Sequence, residues 1–459
     1  MYQIDFNKPI HVHFIGIGGI SMSGLAEILL KAVFKVTGSD GKASPITAHL
    51  EIKGALIYIG QRASNIEDTP DLAVYTAAIS KDNEELMACE QAGIPMLTRA
   101  QMLGQIMANY KSSVAISGTH GKTTTTSMLS HIFLEADADP TISVGGMLDA
   151  IGGNIRVGHS DYFITEACEY TNSYHAFFPK LSIILNVDAD HLDFFKDIEE
   201  IKESFHTFAT NLGTQGILVV NGDMDAYEAV THDLPCKIIT FGLADTNTFY
   251  PANIHADENG HMLFDVMRQG ALLGEVHLGL GGEHNITNAL ASIAAALELG
   301  LSFDACQGGL AACQGAKRRF EYKGMLGDTT IIDDYAHHPT EIKATLNTAG
   351  HKPHHEIWLV FQPHTYTRTR ALFDEFVDAL SGADHIVLAD IYAAREKDTG
   401  LVHSKDLLRA LTDRGVDAYY FGSFDEIENF LLKNCKKNDL LITMGAGNVV
   451  DIGEHLLGK

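Results

Sequence analysis

Nothing narrows the folding options of this chain more than Gly118-Thr119-His120-Gly121-Lys122-Thr123-Thr124, a loop bracketed by glycines that leads into Lys-Thr. A short apolar run, Val114-Ala115-Ile116, precedes it, and a helix-like run starts near Ser127. Strand, glycine turn, Lys-Thr and helix together make a cradle for polyphosphate. The glycines let backbone N–H groups close on phosphate oxygens, and the helix N-terminus adds a positive dipole. The lysine adds a full charge, and the next threonine offers a hydroxyl to Mg²⁺. The full phosphate-loop pattern wants glycine where Ile116 stands, so this is a shortened G-x-x-G-K-T variant. A Gly/Thr-rich surface turn is the competing reading, and the strand and helix flanks make it the poorer one.

Alternating strands and helices surround the loop. Upstream, His11–Ile15 reads as a buried strand, followed by Gly16-Ile17-Gly18-Gly19, a helix, and a second strand ending in Gly38-Ser39-Asp40. Gly16-x-Gly18 is a dinucleotide-type turn, with Asp40 near the place of a ribose-binding acid, although Ser21 replaces the third glycine. Tight packing alone also explains such a turn. At the start of a βαβ unit, a nucleotide or nucleotide-sugar site is preferred. Further strands are expected at Ala55–Ile59 and Leu72–Tyr75, then a helix over Arg99–Asn109.

Downstream, Tyr162–Thr165 and Leu181–Leu185 read as strands ending in Glu166-Ala167-Cys168-Glu169 and Asn186-Val187-Asp188-Ala189-Asp190-His191-Leu192-Asp193. Acids at strand ends beside a phosphate loop are where Mg²⁺ ligands occur. The Asp188–Asp193 loop is either a solvated turn or a cation site. Weaker strands follow at Ile217–Val220 and Lys237–Phe241, then a polar stretch to Gly282. Asn285, at the head of an Ala-rich helix, is either a cap or a nucleotide contact.

The last segment opens on Lys317-Arg318-Arg319, a rare basic cluster. Its strand ends carry Asp333-Asp334-Tyr335-Ala336-His337-His338-Pro339 and Gln362-Pro363-His364-Thr365-Tyr366-Thr367-Arg368. Pro339 reads as the first residue of a helix. Arg368 and Arg370 are either surface charge or, with their neighbours, part of a second crevice.

The chain has 459 residues, which suggests several domains. A formal charge of −26 argues against nucleic acid or an anionic membrane as partner. No apolar run approaches the length of a membrane span. Residues 1–10 carry no leader pattern, and six cysteines without a C-x-x-C pair read as reduced, mostly buried thiols, so a cytoplasmic location is expected. Packing is the expected role of Cys168.

The ordered set Gly118–Thr124, Glu166/Glu169, Asn186/Asp190-His191/Asp193, His284-Asn285, Arg318-Arg319-Phe320 and Asp334-Tyr335/His337/Pro339 resembles the Mur ligases, the ATP-dependent amide-forming enzymes of peptidoglycan synthesis. The resemblance covers essentially the whole chain. It implies three α/β domains: an N-terminal Rossmann-like domain (1–110), a central P-loop ATPase-like domain (111–316) and a C-terminal Rossmann-like domain (317–459). Gly16–Gly24, Gly38–Asp40, Ser80–Asn83, His120 and Phe361–Arg370 look most like the branch that joins L-alanine to UDP-N-acetylmuramate through an acyl phosphate.

By the same resemblance, Gly118, Thr119, His120, Gly121, Lys122, Thr123 and Thr124 hold ATP with Asn285, Arg319 and Asp334. Thr123 and Glu166 hold the Mg²⁺ that bridges the β- and γ-phosphates, and His191 holds a second Mg²⁺. Gly18, Ser39, Asp40 and Asn83 hold the UDP part, while His337, His364 and Arg368 line the alanine side. Lys122, His191, His337 and Arg368 are the expected catalytic set. Monomer or homodimer is expected. The family often has other residues where this chain has Gln61, Cys168 and Thr365. The alternatives are a sister ligase that adds a recycled tripeptide to the same sugar nucleotide, or a dinucleotide-dependent oxidoreductase using Gly16–Asp40. The oxidoreductase leaves the phosphate loop unexplained.

Overall fold

A computed structural model describes residues 2–459 except 77, 78, 259, 395 and 399. Met1, the first residue of the stretch read for a leader, lies outside them. The chain builds three sheets in succession. The first is wholly parallel, in the order β3-β2-β1-β4-β5, from β1 (His11–Ile15), β2 (Lys35–Asp40), β3 (Leu56–Ile59), β4 (Leu72–Tyr75) and β5 (Met96–Thr98). Its strand order reverses beside β1, which opens a crevice at the Gly16 turn. Helices α1 (Ile20–Lys31), α2 (Pro45–Ile52) and α3 (Glu84–Gln91) connect the strands. α4 (Arg99–Ala108) leads to the second sheet and starts in a reciprocal cap between Thr98 and Gln101.

The second sheet has ten strands, β6 (Ser112–Ser117), β7 (Thr141–Leu148), β8 (Gly153–Arg156), β9 (Tyr162–Glu166), β10 (Leu181–Ile184), β11 (Ile217–Asn221), β12 (Lys237–Phe241), β13 (Phe249–Ala256), β14 (His261–Arg268) and β15 (Ala271–Gly281). Their order is β15-β14-β13-β12-β11-β10-β6-β9-β7-β8. β7 through β13 run parallel in the middle, and β8, β14 and β15 add antiparallel edges. The polar stretch before Gly282 is thus three whole strands, β13 to β15, paired antiparallel in turn. Period-two alternation is visible in β14, where Met262, Phe264 and Val266 point inward. Helices α5 (Lys122–Glu135), α6 (Ile198–Thr210), α7 (Tyr227–Thr231), α8 (His284–Glu298) and α9 (Phe303–Ala312) belong to this unit. α5 begins at Lys122, five residues before Ser127, because left-handed Gly121 (φ 83°) turns the chain directly into the helix.

The third sheet, β16-β17-β21-β18-β19-β20, comprises β16 (Glu321–Leu326), β17 (Thr329–Asp334), β18 (Ile357–Phe361), β19 (His385–Leu388), β20 (Asp417–Tyr420) and β21 (Leu440–Met444). Only β16 is antiparallel. α10 (Pro339–Gly350) carries Pro339 in its first turn, and the His338 ring accepts from Thr340 N–H. α11 (Tyr366–Ala371) follows β18.

The first and second units lock together through small residues and a lysine tether. A Cβ on Gly24 of α1 would fall on Ile155 of β8, and one on Gly104 of α4 would meet the Ala176 carbonyl. Lys31 Nζ donates to the carbonyls of Val157 and Gly158, each at 2.8 Å. Five of the six cysteines are buried or partly buried, but Cys168 is exposed. Ala167 takes the inward position as the chain leaves β9, so its neighbour faces out. No helix of the described residues is long and apolar enough to cross a membrane.

Candidate active site

The phosphate-loop residues are held by the strand next door. Asn186, just past β10, accepts His120 N–H through its side chain (2.8 Å) and donates back to the His120 carbonyl (3.1 Å). Its own carbonyl accepts Thr119 N–H, and Thr119 Oγ1 accepts Asp188 N–H at 2.9 Å. Gly118 (φ 145°) lies so close to Leu185 that a Cβ would come within 2.9 Å of the Leu185 Cβ. A Cβ on Gly121 would lie 2.7 Å from Asn288 Oδ1. Both glycines are therefore demanded by geometry.

Lys122 Nζ donates to the carbonyls of Gly118 and Thr119 and pairs with Glu169 at 2.9 Å. Burial works against its charge, but Glu169 outweighs burial and pushes the lysine above its ordinary range. Glu169 also lies 3.6 Å from His191 Nε2. His191 has a left-handed backbone (φ 54°), and its ring packs against Tyr170. Burial holds this imidazole below its ordinary value despite Asp190 and Glu169, so it is neutral at pH 7. Glu166, ending β9, accepts Gly145 N–H at 2.6 Å, which fixes its carboxylate. Thr123 is buried in the first turn of α5. Thr123 and Glu166 offer oxygen donors of the kind Mg²⁺ takes, while the His191 imidazole stands beside Glu169 and Asp190.

The third domain approaches this array from α10 and α11. Arg368 donates through Nε (2.9 Å) and Nη2 (3.3 Å) to the two oxygens of Asp190, and through Nη1 to His364 Nδ1 (3.0 Å). Burial alone would raise Asp190, but Arg368 holds it well below the usual carboxylate range. The His337 and His364 rings stand 5.6 Å apart. Burial drives His337 down to about 4, although Glu341 pulls the other way. Lys122, Glu169, His191, Asp190, Arg368, His364 and His337 thus form one continuous polar seam.

A second seam runs along the other side of the loop. His120 Nδ1 faces Glu341 of α10 at 3.1 Å, and Nε2 faces Asp188 at 3.3 Å. Thr340 donates to Asp188 (2.8 Å), and the His338 ring reaches the Ala189 carbonyl (3.2 Å). Burial opposes a charge on His120, yet its two carboxylate partners outweigh this and lift it to about 9. It is a cation at pH 7.

Between these elements lies a cavity of about 1020 Å³, lined among others by Gly121, Thr124, Asn285, Asn288, Arg319 and Asp334. Asn285 is not the cap of α8. Its amide donates to the Gly281 carbonyl (2.7 Å), and its Oδ1 accepts from Asn288 (3.0 Å). Asp334 accepts Phe320 N–H and Ala336 N–H, both at 2.7 Å; burial raises it to about 6 against the pull of Arg319. Arg319 lies over the Tyr335 ring. Its neighbour Arg318 is structural, joining Asp333 to the carbonyls of Gly445 and Gly447.

In the first domain, Gly18 N–H donates to Asp40 Oδ2 (2.9 Å). Ser39 is wholly buried and gives its hydroxyl proton to Glu85, which also binds His13 (2.9 Å) and Asn65 (2.9 Å). Ser39 therefore braces the turn from behind and presents no side chain to the crevice. Asn83 caps α3 and holds Gln61 Oε1 at 2.7 Å. Sequence reasoning assigned no role to Glu85, Asn288 or Glu341, and left Asp188 and Glu169 without partners. Asn288 stands three residues after Asn285, a spacing that puts both on one helix face and was readable. Glu341 carried no such signal, because its partner His120 lies in another domain.

Comparison with known proteins agrees with this architecture. Residues 11–111 match the Mur ligase family catalytic domain, 116–296 the Mur ligase middle domain, and 318–447 the Mur ligase glutamate ligase domain. The chain is 58% identical, over the full length of both, to the UDP-N-acetylmuramate–L-alanine ligase of Agathobacter rectalis, and 54% identical to that of Lachnoclostridium phytofermentans, again over both full lengths. Among solved structures, the UDP-N-acetylmuramate–alanine ligase of Thermotoga maritima superposes with a TM-score of 0.78 at 27% identity, covering 98% of each chain. A murein peptide ligase from Psychrobacter arcticus gives 0.69 at 26% identity, with the same coverage. With all three domain matches in order and relatives above half identity along its whole length, the chain belongs to the Mur ligase family.

Proposed function

We propose that this protein is a cytoplasmic, ATP-dependent ligase that joins L-alanine to the carboxylate of UDP-N-acetylmuramate, releasing ADP and phosphate. The observation that carries the reading is the seam from Lys122 to His337, which brings a phosphate-loop lysine and an arginine-histidine cluster from another domain to one place. The relatives' names favour alanine over a tripeptide. The work divides by domain: residues 1–110 take the sugar nucleotide, 111–316 the ATP, and 317–459 the amino acid.

In this reading Gly118–Thr124 and Lys122 hold the ATP phosphates, with Asn285, Arg319 and Asp334 around the rest of the nucleotide. Thr123 and Glu166 would hold one Mg²⁺ and His191 a second, whose chemistry is to neutralise charge on the transferring phosphoryl group. The muramoyl carboxylate takes the γ-phosphate, and the C–O–P bond so formed makes the acyl carbon an electrophile. The alanine amine attacks that carbon, loses a proton, and phosphate leaves. His337, kept neutral by burial, stands beside His364 where a proton can be accepted, and Arg368, poised on Asp190, supplies the positive charge for the alanine carboxylate. Gly18, Asp40 and Asn83 line the sugar-nucleotide crevice, with Ser39 behind them. The chain acts as a monomer or homodimer.

The test is to incubate the protein with UDP-N-acetylmuramate, Mg-ATP and either L-alanine or the murein tripeptide, and to weigh the products. An alanine-dependent amide with stoichiometric phosphate is expected. Product with tripeptide alone would move the protein to the sister activity, and product with neither would overturn the ligase reading.

A further inference from the structure

The antiparallel edge of the second sheet carries a cluster that the ligase chemistry does not use. Asp257 follows β13, His261 opens β14, and His277 lies on β15. Asp257 Oδ2 is 3.3 Å from His277 Nε2 and 3.5 Å from His261 Nδ1, and the three ligand atoms all lie within 4.8 Å of one another. Tetrahedral zinc with bonds of about 2.0–2.1 Å places neighbouring ligand atoms about 3.3 Å apart. Both spacings to Asp257 are thus already near coordination distance.

It is also pre-organised. Asp257 Oδ1 accepts His261 N–H (2.9 Å), which turns Oδ2 toward the two imidazoles. Asp257 N–H and the His261 carbonyl close the turn at 2.9 Å, and Gly260 N–H reaches the Asp257 carbonyl at 3.0 Å. A register shift between His261 and Leu263 brings His261 and His277 together from adjoining strands. Two other groupings are less apt. In His355, Glu356 and Asp439, the Asp439 carboxylate is committed to Trp358 and to Lys436 N–H. His120, Asp188 and His338 belong to the seam between domains.

We propose that Asp257, His261 and His277 bind a divalent transition metal of the Zn²⁺ class. Two imidazoles out of three donors favour zinc, cobalt or nickel over magnesium and calcium, whose shells are dominated by oxygen. Three protein ligands leave a fourth position for water. Gly260 and His261 line the large cavity, so the ion would tie the turn at its mouth to β15. This site is separate from Thr123, Glu166 and His191, and it stands whether or not the ligase reading does.

Titration of the full-length protein with Zn²⁺, with Mg-ADP present to occupy the phosphate loop, tests it by calorimetry. Co²⁺ provides a visible spectrum that reports tetrahedral geometry. One site is expected. His277→Gln and Asp257→Asn should weaken it by at least the about 10–100-fold that loss of a mere supporting contact costs a metal site. His277 is half exposed, so its replacement leaves folding intact, as circular dichroism would verify. His355→Gln should bind as the parent does. No binding at micromolar Zn²⁺, or equal affinity in parent and His277→Gln, overturns the proposal.

Discussion

His120 makes the second and third domains depend on pH through one imidazole. Its ring lies between Asp188 and Glu341 and against the His338 ring at 4.6 Å, so its charge is shared across the seam. Its folded value of about 9 lies above the ordinary 6.5. A raised value means that the stabilisation is fully present below about 6.5 and is lost as pH rises through about 9. The gap is worth roughly 3 kcal/mol at about 1.4 kcal/mol per pH unit. The perturbation is His120→Gln, which keeps a donor but removes the charge. The assay is urea unfolding of parent and variant between pH 6 and pH 10. Their stability difference should shrink by up to roughly 3 kcal/mol across that range, since other titrating groups cancel in the subtraction. A difference that does not change with pH would refute the argument, as would an NMR titration placing His120 near 6.5.

Lys122→Ala should abolish phosphate release and also cost about 3 kcal/mol, because it strands the buried Glu169 carboxylate; adding Glu169→Gln should restore thermal stability without activity. Gly121→Ala should destabilise by about 1–2 kcal/mol from its left-handed backbone alone. The new Cβ would also press on Asn288, so a raised KM for ATP in steady-state assays is expected. Arg368→Ala should raise the KM for L-alanine about tenfold or more, equivalent to about 1.4 kcal/mol of lost pairing, with the KM for ATP little changed. A competition assay against UDP-N-acetylmuramate would show whether the loss is confined to the amino acid.

Some strands were legible because they are short apolar runs bounded by polar or glycine residues; Leu72–Tyr75 and Lys237–Phe241 fall at the expected residues. The β7–β8 hairpin and the β13–β15 edge were not, since Gly145, Gly146 and Gly274 dilute the alternation and polar residues fill the exposed face. Residue types at the site were readable, but their partners were not. Nothing in the order of residues says that Lys122 meets Glu169, that Arg368 meets Asp190, or that Glu85 gathers His13, Ser39 and Asn65. Such pairs join positions far apart in sequence, and their distance is set by how sheets dock. Cys168 illustrates the same point in reverse: a residue type that is usually buried is turned outward by the strand end it follows.

The Lys122–Glu169 pair has a kinetic consequence. Glu169 is a tethered counter-ion, so any phosphate that comes to Lys122 must displace a carboxylate held there by the fold. That carboxylate acts as a competitor present at high local concentration. In the proposed reaction it would lower the affinity for every anion the lysine holds, and proportionally shorten the dwell time of the nucleoside diphosphate once the γ-phosphate has gone. A turnover limited by product departure would gain from such a rival. Neutralising it would tighten the hold on ADP and slow the cycle even if the chemical steps were untouched.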